Sequence, residues 1–149
     1  NMHKKYGTYE YMQGDGAGVI VATYGRILLH QRDRETDLYP GKWQLFGGHI
    51  ERGEEPIETA IRELREELGL ELIDRDLKYF TTVHRIDETD HKTENYIHVF
   101  THEGEYTSAD FELQEGRGFA FVNSDWMMKL DITPTERKIL HYYKHERGL

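Results

Sequence analysis

The apolar positions divide the chain into strand-like and helix-like segments. Residues 18–23 form a short, continuous, β-branched run that predicts a buried strand, and residues 26–31 follow a Tyr-Gly turn as its hairpin partner. Two longer runs at 77–86 and 96–102 flank a charged tip and predict a second antiparallel hairpin. Two more strands are predicted at residues 43–46 and 118–122.

Residues 56–68 carry the clearest helical pattern. Apolar side chains recur there at helical spacing and form one continuous stripe, at Ile57, Ala60, Ile61, Leu64 and Leu68. Pro56 suits the first helical position, and Gly69 suits the left-handed residue just past the end. The pattern therefore predicts a helix with defined ends and one buried face.

Two further helices are predicted near the C-terminus. Ser124 is the expected cap of a short helix that runs through Leu130. The segment Thr133–Glu136 has the form of a capping box, and it predicts a last helix from Pro134 to about His145.

The length of 149 residues suits one ordinary domain. No repeat or Pro/Gly/Ser-rich linker divides the sequence, so residues 2–149 are expected to form a single α/β domain, a sandwich with a mixed β-sheet. We expect Asn1, which precedes Met2, to be a remnant of expression.

Charge and cysteine content exclude several classes of function. The net charge is −9, and such a field repels nucleic-acid phosphates and anionic membranes, so neither is an expected partner. The absence of cysteine excludes disulfides, Cys-ligated zinc and thiol nucleophiles, and it fits a cytoplasmic location. The longest apolar run, residues 17–22, is far shorter than the roughly 20 residues that span a bilayer.

Acidic side chains cluster on one side of the predicted helix. Glu63, Glu66 and Glu67 fall within about a third of its circumference, beside the apolar stripe. Hard divalent cations bind such groups of carboxylate oxygens, and Gly47-Gly48 upstream allows a backbone carbonyl to approach a cation closely. A solvated acidic face is the alternative interpretation of the helix alone.

The stretch from Gly48 to Leu70 resembles the Nudix box, G-x5-E-x7-R-E-U-x-E-E-x-G-U, in which U is a bulky apolar residue. Every fixed position is filled, by Gly48, Glu54, Arg62, Glu63, Leu64, Glu66, Glu67, Gly69 and Leu70. The chain is thereby identified as similar to Nudix hydrolases of the MutT-like group. One departure is Phe46, which stands where many relatives carry proline before the double glycine.

The resemblance implies an α/β/α sandwich in which the box forms a loop–helix–loop. It also implies hydrolysis of a nucleoside diphosphate linked to another group, with Mg²⁺ or, in its place, Mn²⁺. The metal ligands implied are Glu63, Glu66, Glu67 and the Gly48 carbonyl. Catalytic roles are implied for Glu63, Glu67 and Glu115, of which Glu67 or Glu115 is the expected general base.

The resemblance also implies that Glu54 and Arg62 form a supporting ion pair. From its helical angle, Arg62 is expected to point away from the three box acids. Arg62 is therefore expected to act by ordering the loop.

Four side chains outside the box are candidate substrate contacts. Arg32 and Lys42 flank the loop before the double glycine and are candidates for the phosphates, with a solubilising loop as the alternative. Tyr39 and Trp43 are candidates to stack on a base, although the strand-like run around Trp43 favours a core position for it. Zinc is disfavoured, because His84, His98 and His102 lack compact ligand spacing.

A small-molecule nucleotide is the expected partner, bound by a monomer or a homodimer. A nucleoside triphosphate or modified nucleotide is the preferred substrate class. The alternatives are a nucleotide-sugar pyrophosphatase and a regulatory Nudix domain that binds nucleotides without turnover. The regulatory alternative is weakened because such domains typically lose box carboxylates, and none is lost here.

Overall fold

A mixed β-sheet with helices on both faces forms the framework of the protein. The computed structural model describes residues 4–6, 9–11, 14–32, 41–85, 95–111 and 118–149. The strands are β1 (Lys4–Tyr6), β2 (Tyr9–Tyr11), β3 (Gly16–Thr23), β4 (Arg26–Gln31), β5 (Trp43–Gln44), β6 (Phe46–His49), β7 (Lys78–His84), β8 (Tyr96–Glu103) and β9 (Phe119–Val122). The helices are α1 (Pro56–Leu68), α2 (Ser124–Met127) and α3 (Pro134–Glu146).

The main sheet is built around β3. Its strand order is β5-β4-β3-β8-β7, with β6 added alongside β3 and β9 alongside β4. The pair β3–β8 is parallel, whereas β3 pairs antiparallel with both β4 and β6. This mixture confirms the predicted mixed sheet. Strands β1 and β2 form a separate two-stranded pair that the sequence pattern did not predict.

Side chains alternate between the two faces of β3, as the period of a strand requires. Val19 and Val21 belong to a core that contains Leu64 and Leu68 of α1. Ile20 points to the other face, into a core that contains Ile139 and Leu140 of α3. The sheet is therefore covered by α1 on one side and by α3 on the other, which is the predicted α/β/α arrangement.

The best-predicted element is α1, whose bounds are those expected from the sequence. Gly69 at its end has φ 69°, in the left-handed region. The run predicted as one strand at 43–46 is two short strands, and the second, β6, continues through Gly47 and Gly48 to His49. The double glycine is thus part of the sheet.

The C-terminal caps differ from the prediction. Asn123, not Ser124, caps α2 by accepting a hydrogen bond from the Trp126 N–H, and α2 ends at Met127. Thr133 precedes α3 without a capping hydrogen bond from its side chain. Glu136 does not complete a capping box, because its carboxylate accepts a hydrogen bond from the Leu45 N–H instead. None of the helices in the described ranges is both long and apolar enough to cross a membrane.

Candidate active site

The two glycines bring the backbone of β6 against its neighbours. Gly47 has φ 149°, and a Cβ there would lie 2.1 Å from the carbonyl oxygen of Ala17 in β3. A Cβ on Gly48 would lie 2.3 Å from Oε1 of Glu63. The Glu63 carboxylate therefore occupies the space that a side chain at position 48 would fill, and α1 packs directly on β6.

Arg62 is at the centre of an ion-pair network in the box. Its Nε donates to Oε2 of Glu54 over 2.6 Å, and its Nη2 donates to Oε1 of the same carboxylate over 3.0 Å. Its Nη1 lies 3.0 Å from Oε1 of Glu63 and 3.3 Å from Oε2 of Glu66. Nη2 also donates to the carbonyl oxygen of His49 over 3.2 Å.

The expectation that Arg62 points away from the box acids is therefore wrong. The helical angle determines where the Cβ of Arg62 points, but the long side chain turns and brings its guanidinium to Glu63 and Glu66. The expected contact with Glu54 is present, in bidentate geometry.

Glu54 lies in a strongly stabilising environment for a charged carboxylate. The hydrogen bonds from Arg62 lower its pKa from 4.5 to about 2, against the opposing effect of burial. The Glu51 N–H and the Thr59 hydroxyl donate two further hydrogen bonds, at 3.0 and 2.8 Å. Glu54 is thereby fixed at the turn that leads into α1.

The third acid of the cluster, Glu67, faces a different set of groups. Its Oε1 accepts a hydrogen bond from the Gly47 N–H over 3.0 Å, and its Oε2 lies 3.3 Å from Nε2 of His30. Its side chain is 14% exposed, against 53% for Glu66, so Glu67 is the more enclosed of the two.

The chemistry of the donors fits a hard divalent cation, because the three acids and the Gly48 carbonyl offer only oxygen atoms. The described residues do not, however, form a ready-made group of three or more side chains that could hold a metal ion. Arg62 supplies the positive charge beside Glu63 and Glu66, and Glu67 is turned towards His30. Binding of a cation would therefore compete with the Arg62 contacts.

A cavity of about 260 Å³ opens beside the glycine pair. Its polar lining includes Arg32, Gln44, Arg85 and Glu136, and residues 16–18 and 46–49 also line it. The Nη1 of Arg32 donates to Oε1 of Gln44 over 3.2 Å. The two arginines of the lining give this cavity the positive charge that an anionic ligand needs.

The predicted substrate contacts lie in different places. Of the four, Arg32 lines the cavity, whereas Lys42 pairs with Asp131 at 2.7 Å and does not line it. Trp43 is half-buried and packs against the α3-side core, as its alternative interpretation held. Tyr39 lies outside the described residues, as does Glu115, the further candidate for catalysis.

Glu136 is the site residue that the sequence interpretation missed. Its carboxylate lines the cavity, and burial raises its pKa from 4.5 to about 7, against the opposing effects of the Leu45 N–H and of Arg85 and Arg32. In the sequence it looked like the last residue of a capping box. Its partner lies 91 positions away, and no local pattern predicts that contact.

The histidines weighed for zinc are separate from one another. His98 lies between Asp15 and Thr82, at 3.0 and 3.1 Å. His102 contacts the Asp76 carbonyl and the Tyr106 hydroxyl, at 2.8 and 2.6 Å. Both rings are occupied by protein groups.

Comparison with known proteins establishes the family. The family model of the NUDIX domain matches residues 12–143, which is most of the chain. The chain belongs to the Nudix hydrolase family. Nudix enzymes generally use a divalent metal ion.

Individual Nudix proteins share only part of their sequence with this chain. The m7GpppN-mRNA hydrolase NUDT17 of Xenopus laevis is 39% identical over 66 residues, which are 41% of this chain and only 22% of that protein. The nucleoside triphosphatase NudI of Escherichia coli is 27% identical over 126 residues, 81% of this chain and 89% of that one. The MutT protein from Methanosarcina mazei Go1 has the same fold, with a TM-score of 0.70 and 21% identity over 91% of this chain and 96% of its own.

Proposed function

We propose that this Nudix hydrolase cleaves a nucleoside triphosphate or a modified nucleotide, with Mg²⁺ bound at the box. The observation that carries the proposal is the position of Glu63 and Glu67 against the glycine pair, which lines a cavity together with Arg32 and Arg85. Glu66 is joined to Glu63 through the Arg62 guanidinium. The relative NudI, which matches over most of both chains, is named a nucleoside triphosphatase and supports this substrate class.

We assign the metal ion to the residues on one side of the glycine pair and the substrate phosphates to those on the other. Glu63, Glu66, Glu67 and the Gly48 carbonyl would hold the metal ion. When bound, such an ion neutralises phosphate oxygens and lowers the pKa of water. Arg32 and Arg85 on the cavity side would bind the remaining phosphate charge.

Glu67 is our candidate for the general base that accepts the proton of the attacking water. Of the three clustered box acids its side chain is the least exposed, and it is oriented by both a backbone N–H and a histidine. Glu115 is the alternative base, and Glu63 is assigned mainly to the metal. Glu54 and Arg62 would hold the loop and α1 in register.

The test is a nucleotide panel assayed for release of phosphate or pyrophosphate, with Mg²⁺ and then with EDTA. Turnover of nucleoside triphosphates that stops in EDTA and returns with Mg²⁺ or Mn²⁺ supports the proposal. Preferential turnover of nucleotide sugars would contradict the proposed substrate class and favour a nucleotide-sugar pyrophosphatase. Nucleotide binding without turnover of any compound would favour a regulatory domain, and turnover that persists in EDTA would overturn the metal assignment.

A further inference from the structure

His30 is a buried histidine of β4 that contacts a box acid of α1. It lies in β4, is 3% exposed, and stacks on the Phe46 ring with a centroid distance of 4.5 Å and an interplanar angle of 18°. Its Nε2 lies 3.1 Å from the Leu45 carbonyl oxygen and 3.3 Å from Oε2 of Glu67. His30 therefore touches both the backbone that leads into the glycine pair and the last acid of the box.

The chemistry of these neighbours determines which ring nitrogen carries the proton. The Leu45 carbonyl oxygen can only accept a hydrogen bond, and an ionised Glu67 is likewise an acceptor. Nε2 must therefore be protonated, and its N–H is shared between the two oxygens. His30 is a donor to Glu67 at this atom.

The Glu67 carboxylate is thus held at both oxygens. Oε1 accepts from the Gly47 N–H in β6, and Oε2 faces the N–H of His30 in β4. Each carboxylate oxygen has two lone pairs, so a ligand can still bind to a carboxylate that is fixed in this way. Fixing it removes side-chain freedom that would otherwise be lost on binding a metal ion or reaching the transition state.

We propose that His30 is a positioning residue, which orients the Glu67 carboxylate for metal binding and turnover. This inference rests on the proposed function for its kinetic consequence, but the contact itself can be tested without turnover. His30 does not line the cavity described above, so it acts through Glu67 and not through contact with the substrate.

The matched variants are His30→Phe, Glu67→Gln and the double variant, with His102→Phe as the control. Phenylalanine preserves a ring against Phe46 but removes the N–H. His102 is also a buried histidine in the sheet. It pairs with Val21 of β3, whereas the glycine pair lies beside residues 17 and 18 of the same strand, so His102 is away from the candidate site. Loss of a buried imidazole as such is therefore controlled for.

Kinetics and Mn²⁺ binding measured by electron paramagnetic resonance are the readouts for folded variants. We expect His30→Phe to lower kcat and weaken Mn²⁺ binding by about 10- to 100-fold, with KM changed by less than about 2-fold. In the Glu67→Gln background it should cause no further loss, because the residue it positions is already altered. Unchanged kcat and Mn²⁺ affinity, or a full additional loss in that background, would overturn the proposal, as would an equal effect of His102→Phe.

Two further measurements test the role of His30 if the wild-type protein is inactive or if the variant does not fold. If the wild-type protein turns over no nucleotide, the proposed function fails, and Mn²⁺ binding by His30→Phe alone decides the positioning role. If His30→Phe does not fold by circular dichroism, the ¹⁵N NMR spectrum of the histidines in the wild-type protein decides. A His30 ring protonated at Nε2 supports the inference, and a neutral ring protonated only at Nδ1 overturns it.

Discussion

The Nε atom of Arg62 lies 2.6 Å from Oε2 of Glu54, and this contact joins α1 to the loop that precedes it. The same guanidinium reaches Glu63, one of the acids that we propose bind the metal ion. Arg62 therefore links the part of the box that supports the site to the part assigned to the metal. Its replacement is expected to affect both.

Arg62→Ala should destabilise the fold. The change leaves Glu54 partly buried without its cation and leaves Glu63 and Glu66 unneutralised, which we expect to lower the free energy of unfolding by about 2–4 kcal/mol. Urea unfolding measures the loss. Arg65→Ala, at an exposed position of the same helix, is the control. An Arg62→Ala protein as stable as wild type would contradict the central position of this network.

The Glu54–Arg62 pair should make the protein sensitive to acid. The folded pKa of Glu54 is about 2, below its ordinary value of 4.5, so its contribution is fully present above pH 4.5 and is lost as the pH falls towards 2. The difference in unfolding free energy between wild type and Glu54→Gln should therefore shrink over this range. A difference in unfolding free energy that does not depend on pH would show that the ionised Glu54 carboxylate does not cause the acid sensitivity.

Glu136 should make the protein less stable as the pH rises, whereas Glu54 makes it less stable as the pH falls. Its folded pKa is about 7, above its ordinary 4.5, so burying the charged form destabilises the protein increasingly from pH 4.5 to 7 and fully above that. Glu136→Gln keeps an acceptor for the Leu45 N–H and removes the charge. Its melting temperature relative to wild type should therefore rise between pH 5 and pH 8. Glu71→Gln, at an exposed position, should show no such trend.

Gly47→Ala and Gly48→Ala should separate stability from activity. At Gly47 the new Cβ would meet backbone at 2.1 Å, which cannot move aside, so a loss of stability above about 2 kcal/mol is expected. At Gly48 the new Cβ would meet the end of the Glu63 side chain, which can rotate away. Gly48→Ala should therefore remain folded by circular dichroism but lose turnover. The reverse order of melting temperatures would contradict this account.

Glu66→Gln and Glu67→Gln should each lower kcat by roughly 100-fold or more. If these carboxylates bind the metal ion as we propose, their loss removes several kcal/mol of transition-state stabilisation. Steady-state kinetics with saturating Mg²⁺ measures the effect. Glu71→Gln removes the same charge outside the box and should retain normal turnover. Full activity of Glu67→Gln would show that Glu67 is not the general base.

The sequence determined the local elements of the protein. Helix α1 and its end at Gly69 were predictable because helical periodicity and capping depend on neighbours within a few positions. The β3–β4 hairpin was predictable from its two apolar runs and tight turn. The positions of the box acids along α1 followed from the same spacing.

Only the tertiary structure decided what each of these side chains touches. Glu136 had the sequence signature of a cap but reaches Leu45, and His30 looked like one more strand residue but contacts Glu67. Both contacts join segments that are distant in the chain, and they form because packing α1 and α3 on opposite faces of the sheet brings those segments together. A pattern that depends on near neighbours cannot contain that information, since the free energy that selects the contacts comes from burial across the whole fold.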